Sequence, residues 1–142
     1  MTYYFPILLT VFSNVFYHIF LKLTPGSVNP IISLTITYAI AMVATMIIYP
    51  FYPSQSTVIT ELKSLNWASY ALGVAIVGLE IGFLLAYRMG WQINMAGIIS
   101  NIAVALVLIP IGLFFFKESL STINLAGLFF CLLGLILVNY KA

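Results

Sequence analysis

The composition of this 142-residue chain excludes water as its main solvent. Hydrophobic residues make up 63% of the chain and charged residues 6%, whereas about a quarter of a soluble domain is charged. A chain this short cannot bury so much apolar surface in one core, but hydrocarbon accepts apolar side chains on every face of a helix. The net charge of +2 is too small for a nucleic-acid-binding surface. We therefore expect an integral membrane protein with membrane lipid around it and no nucleic-acid partner.

Charges and turn-forming residues divide the sequence into apolar segments, each close to the roughly 20 residues that a helix needs to cross a bilayer. The segments cover residues 3–22, 30–51, 66–88, 92–116 and 121–140. We expect residues 1–142 to form a single all-α transmembrane domain, a bundle of about five helices. The first helix should be retained, because no signal-peptide cleavage site follows it. Turn residues around Pro25 and Pro30 should separate the first two helices, Asn66 should cap the third, and the stretch with Glu61 and Lys63 should form one or two interfacial turns.

Catalytic residue types are few and scattered along the sequence. One histidine, one cysteine and three separated carboxylates form no metal-binding spacing, and neither a nucleophile elbow nor a phosphate-binding loop is present. We expect a protein that is not an enzyme and uses no metal or other cofactor.

The basic residues of the loops are almost balanced between the two faces of the membrane. If the N-terminus marks side A, Lys63 and Lys117 lie on side A, and Lys22, Arg88 and Lys141 on side B. This weak bias would place side B in the cytoplasm. The balance suggests dual topology and an antiparallel homodimer. A single orientation, set by the weak bias or by a partner, is the alternative.

A polar layer is predicted near the membrane centre. Glu80 is the charged residue well inside a span, where a charge costs roughly 2.5 to 3.5 kcal/mol. At 1.5 Å per residue, Glu80 lies about 5 Å from the midplane toward side B. Substrate and a proton are expected to compete at this carboxyl. In the alternative, a protonated Glu80 bonds a neighbouring helix and holds the bundle together.

Other polar side chains are expected to join Glu80 in a central cavity. Asn14, Thr37 and Asn101 lie within about 6 Å of the midplane and His18 at about 8 Å, while Tyr87 shares a helix face with Glu80. A pairing of His18 with Glu80 is one hypothesis. A bond from His18 to Asn14 or to a backbone carbonyl is the other. The predicted substrate and proton site comprises Glu80, His18, Asn14, Asn101, Thr37 and Tyr87.

The last two spans carry features of helix packing. Gly127, Cys131 and Gly134 follow at i, i+4 and i+7, and Asn124 extends this strip of small residues by one turn. Helices in lipid approach closely along such strips, so we predict a helix–helix interface there. Pro110 lies inside the fourth span and should kink it, or be tolerated as a slight bend.

The second half of the chain resembles one repeat of the drug/metabolite transporter superfamily, in its EamA-like branch. The resemblance rests on the hairpin Tyr-Arg-Met-Gly-Trp at 87–91, on Pro110 followed by Phe-Phe-Phe-Lys-Glu-Ser-Leu at 114–120, and on the small residues of the last span. The small multidrug resistance proteins have a similar Phe-Phe-Lys-Glu-like turn before their last helix, which also carries paired small residues. The resemblance implies a half-size member, one repeat of a ten-helix inverted-repeat transporter, that pairs with itself or with a paralogous five-helix protein. In the small multidrug resistance proteins the coupling glutamate lies in the first helix, where this sequence has Asn14 and His18. The assignment of Glu80 therefore rests on its depth in the span and on the free-energy cost of placing a carboxyl there.

The function expected from these observations is secondary-active transport of a small metabolite or a cationic, amphipathic compound, with possible coupling to protons, in a bacterial inner membrane. The alternative is a non-catalytic membrane subunit, such as a partner in a lipid-linked sugar flippase or another membrane assembly.

Overall fold

The protein is all-helical over the residues that the computed structural model describes, 3–52 and 56–140. Four stretches are long and apolar enough to cross a membrane, and they lie at Phe5–Leu23, Pro30–Phe51, Trp67–Arg88 and Ile93–Phe114. The last helix, Thr122–Asn139, has 18 residues and a length of about 27 Å, close to the thickness of the hydrocarbon core. The prediction of an all-helical, multi-pass membrane architecture is confirmed at this level.

We number the helices in chain order: α1 Phe5–Leu23, α2 Pro30–Ile48, α3 Val58–Ser64, α4 Trp67–Arg88, α5 Ile93–Phe114 and α6 Thr122–Asn139. A 3-10 turn, Tyr49–Phe51, extends α2. The predicted spans correspond to α1, α2, α4, α5 and α6, and α3 forms the short helical turns expected around Glu61 and Lys63. Their location at the membrane interface stays a prediction. Lys141, one of the basic residues assigned to side B, lies outside the described residues.

Asparagine side chains begin two of the spanning helices. The side-chain oxygen of Asn29 accepts a hydrogen bond from the amide of Ile31 at 2.9 Å, and Pro30 is the first residue of α2. Asn66 accepts from the amide of Ala68 at 3.0 Å, which confirms its predicted capping of α4. Both oxygens satisfy amides that have no carbonyl partner within their own helix.

The chain divides into two compact units, Met1–Gly90 and Trp91–Ala142. In the first unit α4 packs against both α1 and α2. Leu84 of α4 is only 1% exposed and lies near the centre of this packing, with Leu34 of α2 also buried. Most other large apolar side chains are exposed, as expected for helices whose outer faces contact lipid.

The second unit pairs α5 with α6 and has a fold-back turn between them. Lys117 adopts a left-handed backbone conformation with φ of 54°, and the amide of Glu118 donates to the carbonyl of Gly112 at 3.0 Å. A Cβ atom on Gly112 would lie 2.7 Å from a carboxylate oxygen of Glu118. A side chain at position 112 would displace the carboxylate of Glu118 from its place over the end of α5. The helix continues through Pro110 to Phe114.

We predict that Asn66→Ala lowers the free energy of unfolding by about 1 kcal/mol, because the amide of Ala68 loses its acceptor. Asn66→Asp keeps an acceptor at the same position and serves as the control. Reversible unfolding by denaturing detergent in mixed micelles measures both variants. Equal stability of Asn66→Ala and the wild-type protein would contradict the assignment of the cap.

Candidate functional site

A row of contacts between α1 and α4 defines the candidate site within the first unit. Tyr17 and His18 of α1 contact Phe83 of α4, and Lys22, one turn further along α1, contacts Tyr87, one turn further along α4. The matching order of these contacts shows that α1 and α4 run parallel. Both helices therefore carry their C-terminal halves into the same part of the unit.

His18 is held in this row by aromatic rings and by one hydrogen bond. Its ring lies edge-on to Phe83 with 4.8 Å between the ring centroids, and Phe83 stacks on Tyr87. The hydroxyl of Tyr87 and Nδ1 of His18 are 2.7 Å apart, in a buried hydrogen bond. His18 and Tyr87 are 8% and 6% exposed. This bond joins α1 to α4 where neither water nor lipid can readily replace it.

Glu80 lies about two turns before Tyr87 on the same buried face of α4. Its residue exposure is 9%, and its Oε2 atom has no hydrogen-bond partner among the described residues. The carboxyl is close enough to Tyr17 of α1 and Tyr38 of α2 to interact with both electrostatically. The hydroxyl oxygens of these tyrosines are also buried and without a partner in the described chain. Glu80, Tyr17 and Tyr38, here called the Glu80 cluster, thus bring together polar atoms from three helices.

The Glu80 cluster lies close to the middle of its helices. Counting 1.5 Å per residue from each helix centre places Glu80 and Tyr17 about 4 Å and 5 Å from the middle, and Tyr38 about 2 Å from it. All three displacements are toward the end where α1 and α4 terminate and α2 begins. The depth of the cluster in a membrane stays a prediction.

Leaving these polar atoms without partners is costly. A buried donor or acceptor that makes no hydrogen bond costs about 1–3 kcal/mol, and hydrocarbon offers no replacement. The two hydroxyls and the carboxyl supply donors and acceptors that a proton, a water molecule or a polar ligand could satisfy. The cluster is chemically suited to bind a cation or to exchange a proton at Glu80. No group of histidine, cysteine or acidic residues among the described residues is arranged to hold a metal ion.

The structure brings together some of the predicted site residues and not others. Glu80, His18 and Tyr87 all lie on the buried contact of α4 with α1. His18 has a different partner from either one hypothesised, since it bonds to Tyr87 instead of Glu80, Asn14 or a backbone carbonyl. Asn14 is exposed, and the exposed Thr37 donates to the carbonyl of Ser33 in its own helix at 3.1 Å. Exposed Asn101 belongs to the second unit.

Tyr17 and Tyr38 were not predicted from the sequence as site residues. Tyrosine in a membrane span is usually assigned to the interfacial belt, where its hydroxyl reaches water. Both residues are instead near the centre of their helices, far from either interface. That depth, together with their place on helices that flank Glu80, is the signal that could have found them.

The predicted interface on α6 remains open in this structure. A Cβ atom added to Gly127 or to Gly134 would meet nothing within 4 Å, and Cys131 is a free, exposed cysteine. The backbone amide of Asn124 donates to Ser121, which caps α6. The strip is accessible to another helix, and its role stays a prediction, as does a kink at Pro110.

No family model matches the chain, and no curated protein or solved structure matches it either.

We predict that Tyr87→Phe lowers the free energy of unfolding by about 1–3 kcal/mol, because Nδ1 of buried His18 loses its partner. Tyr70→Phe, at an exposed tyrosine of the same helix, is the matched control and should change stability little. Unfolding by denaturing detergent measures both. If the two variants lose the same stability, the hydrogen bond does not join α1 to α4 as described.

Proposed function

We propose that the chain is a secondary-active transporter that binds a small cationic or amphipathic compound at the Glu80 cluster and exchanges it for a proton. The observation that carries this proposal is the burial of Glu80 within electrostatic range of two buried tyrosine hydroxyls that have no partner among the described residues. An ionisable group inside a membrane span is costly, and such groups commonly mark substrate and proton pathways. A purely structural glutamic acid would be expected to have its hydrogen bonds satisfied by neighbouring helices.

The chemistry of the cluster suits exchange of one positive charge for another. A carboxylate in a low-dielectric site binds a proton or a cation strongly, and it is too costly there to remain charged and alone. Tyr17 and Tyr38 can each donate to the carboxylate or accept from a bound ammonium group, since a hydroxyl does both. The aromatic rings of Tyr17 and Phe83, which lie edge-on at 6.2 Å, add apolar surface for the rest of a substrate.

The proposal includes a likeness to EamA-like and small multidrug resistance transporters and a paired assembly in a bacterial inner membrane. The motif around 114–120 and the small residues of α6 support the likeness. The nearly even distribution of loop charges supports dual topology and an antiparallel homodimer, and pairing with a paralogous five-helix protein would complete an inverted repeat equally well.

A second candidate function is that of a non-catalytic membrane subunit, for example in a lipid-linked sugar flippase. The open strip at Gly127 and Gly134 favours it, because close helix packing against a partner needs such a surface. In this case Glu80 would donate or accept a hydrogen bond with its own helices, and no transport by the chain alone would be seen.

We predict that Glu80→Gln lowers substrate-driven proton movement by at least about tenfold. The variant loses the charged interaction of the carboxylate with its substrate, and a loss of about 1.4 kcal/mol corresponds to a tenfold loss of affinity. The purified protein is placed in liposomes with a pH gradient and challenged with amines, amino acids and nucleosides. An entrapped pH dye follows proton movement, and current on a supported membrane reports net charge, so electroneutral exchange is detected as well.

Glu61→Gln is the matched control, because Glu61 is an exposed carboxyl on the short helix α3. It should leave transport unchanged. Proton movement that persists in Glu80→Gln would keep the transporter and remove Glu80 from the coupling site. Silence of the folded wild-type protein across the panel, by both readouts, would favour the subunit instead.

We predict that Tyr17→Phe and Tyr38→Phe lower substrate affinity by about tenfold each while leaving stability unchanged or raised. Each hydroxyl has no bond to lose within the described protein, so its removal should not destabilise the fold, whereas a bound substrate would lose a hydrogen bond to a charged group. Transport kinetics and detergent unfolding of the same preparations separate the two effects. A stability loss as large as that of Tyr87→Phe would instead identify these hydroxyls as structural.

A further inference from the structure

A second polar feature of the first unit lies where α1 and α4 end. A cavity of about 160 Å³ is lined by Leu21, Lys22, Thr24, Gly26, Leu84, Tyr87 and Arg88. One water molecule occupies about 30 Å³ in the liquid, so the cavity can hold a group of several atoms. Two of its lining residues are cations, and no acidic residue lines it. We call this cavity the basic pocket.

Both cations of the basic pocket donate hydrogen bonds to backbone carbonyls. The Nζ atom of Lys22 donates to the carbonyl of Tyr87 at 3.4 Å and lies 5.3 Å from the centre of the Tyr87 ring. Nη2 of Arg88 donates to the carbonyls of Pro25 and Val28 at 3.3 Å and 2.7 Å. The buried Nε of Arg88 has no hydrogen-bond partner among the described residues.

The positive side chains of the pocket lie beside two helix ends. Helices α1 and α4 both end at the pocket, and each helix C-terminus contributes about half a negative charge. These two partial charges are smaller than the full positive charges of Lys22 and Arg88, and no acidic residue lines the pocket. A bound anion would reduce the repulsion between the like charges of Lys22 and Arg88.

The depth of the pocket fits the headgroup region of a bilayer. Lys22 lies about 12 Å and Arg88 about 16 Å from the centres of their helices, and half the hydrocarbon core is about 15 Å thick. Phosphate groups of lipids are found at this depth. Arginine and lysine together are well suited to phosphate, because arginine offers paired donors and lysine a mobile point charge.

We propose that the basic pocket binds a phosphate group, with Lys22 and Arg88 as its charged ligands. The pocket is separate from the Glu80 cluster, so this proposal does not depend on transport or on the nature of the transported compound.

The test measures binding of dioctanoyl phosphatidic acid to the full chain in neutral detergent by native mass spectrometry, with dioctanoylglycerol as the matched lipid that lacks the phosphate. The wild-type protein should prefer the phosphate-bearing lipid. Lys22→Gln and Arg88→Gln should each weaken its binding about tenfold, the effect of one charge-assisted hydrogen bond. Lys63→Gln and Lys117→Gln, at basic residues that do not line the pocket, should leave binding unchanged.

Competition with inorganic phosphate distinguishes the two sources of the group. Displacement of the lipid by millimolar phosphate would show that a free phosphate fits, and retention of the lipid would show that the site takes a lipid headgroup. Because Arg88 also holds the connection between α1 and α2, Lys22→Gln is the deciding variant. Equal binding of the two lipids, or equal losses in Lys22→Gln and Lys63→Gln, would overturn the proposal.

Discussion

A polar side chain inside hydrocarbon must find its partners within the protein, since the lipid offers none. Helix α4 shields its polar face from lipid by packing against α1 and α2 at once. The burial of Leu84 between Glu80 and Tyr87 shows how tightly that face is covered. The enclosed positions of the Glu80 cluster, the His18–Tyr87 bond and one wall of the basic pocket all depend on this arrangement.

The hydrogen bond between His18 and Tyr87 lies between the Glu80 cluster and the basic pocket. Glu80 and Arg88 are about 12 Å apart along α4, and the pair lies between them with Phe83 beside it. A direct ion pair between Glu80 and a basic residue would satisfy both charges and leave neither to bind a ligand. Because the intervening layer is aromatic and already hydrogen-bonded, it keeps the acid and the bases apart.

The sequence predicts more of the helices than of their contacts. Hydrophobic length and turn residues locate the spans, and the cost of a buried carboxyl identifies Glu80 as enclosed. The sequence predicts that Asn14 lines a central cavity, yet Asn14 is exposed and the described side-chain contacts of α1 with α4 begin at Tyr17. The roles of Tyr17 and Tyr38 depend on which helices meet, and the fold-back of Glu118 onto Gly112 depends on a left-handed Lys117. The choice of neighbouring helices and the left-handed conformation of Lys117 do not follow from the spacing of hydrophobic residues in the sequence.

The two proposed sites are close enough to influence each other. Two unit charges 12 Å apart interact by about 1.4 kcal/mol at an effective dielectric constant of 20, which corresponds to a factor of ten in affinity. An occupied basic pocket would lose its repulsion toward a cation at Glu80, so phosphate should strengthen cation binding by up to about tenfold. Linkage requires the reverse effect to be equal, so a bound cation should strengthen phosphate binding by the same factor.

Glu80→Gln removes the attraction between Glu80 and the basic pocket, so phosphate should then bind more tightly, provided that Glu80 is ionised in the unliganded protein. An unchanged affinity for phosphate in that variant would indicate that Glu80 is protonated before any substrate arrives.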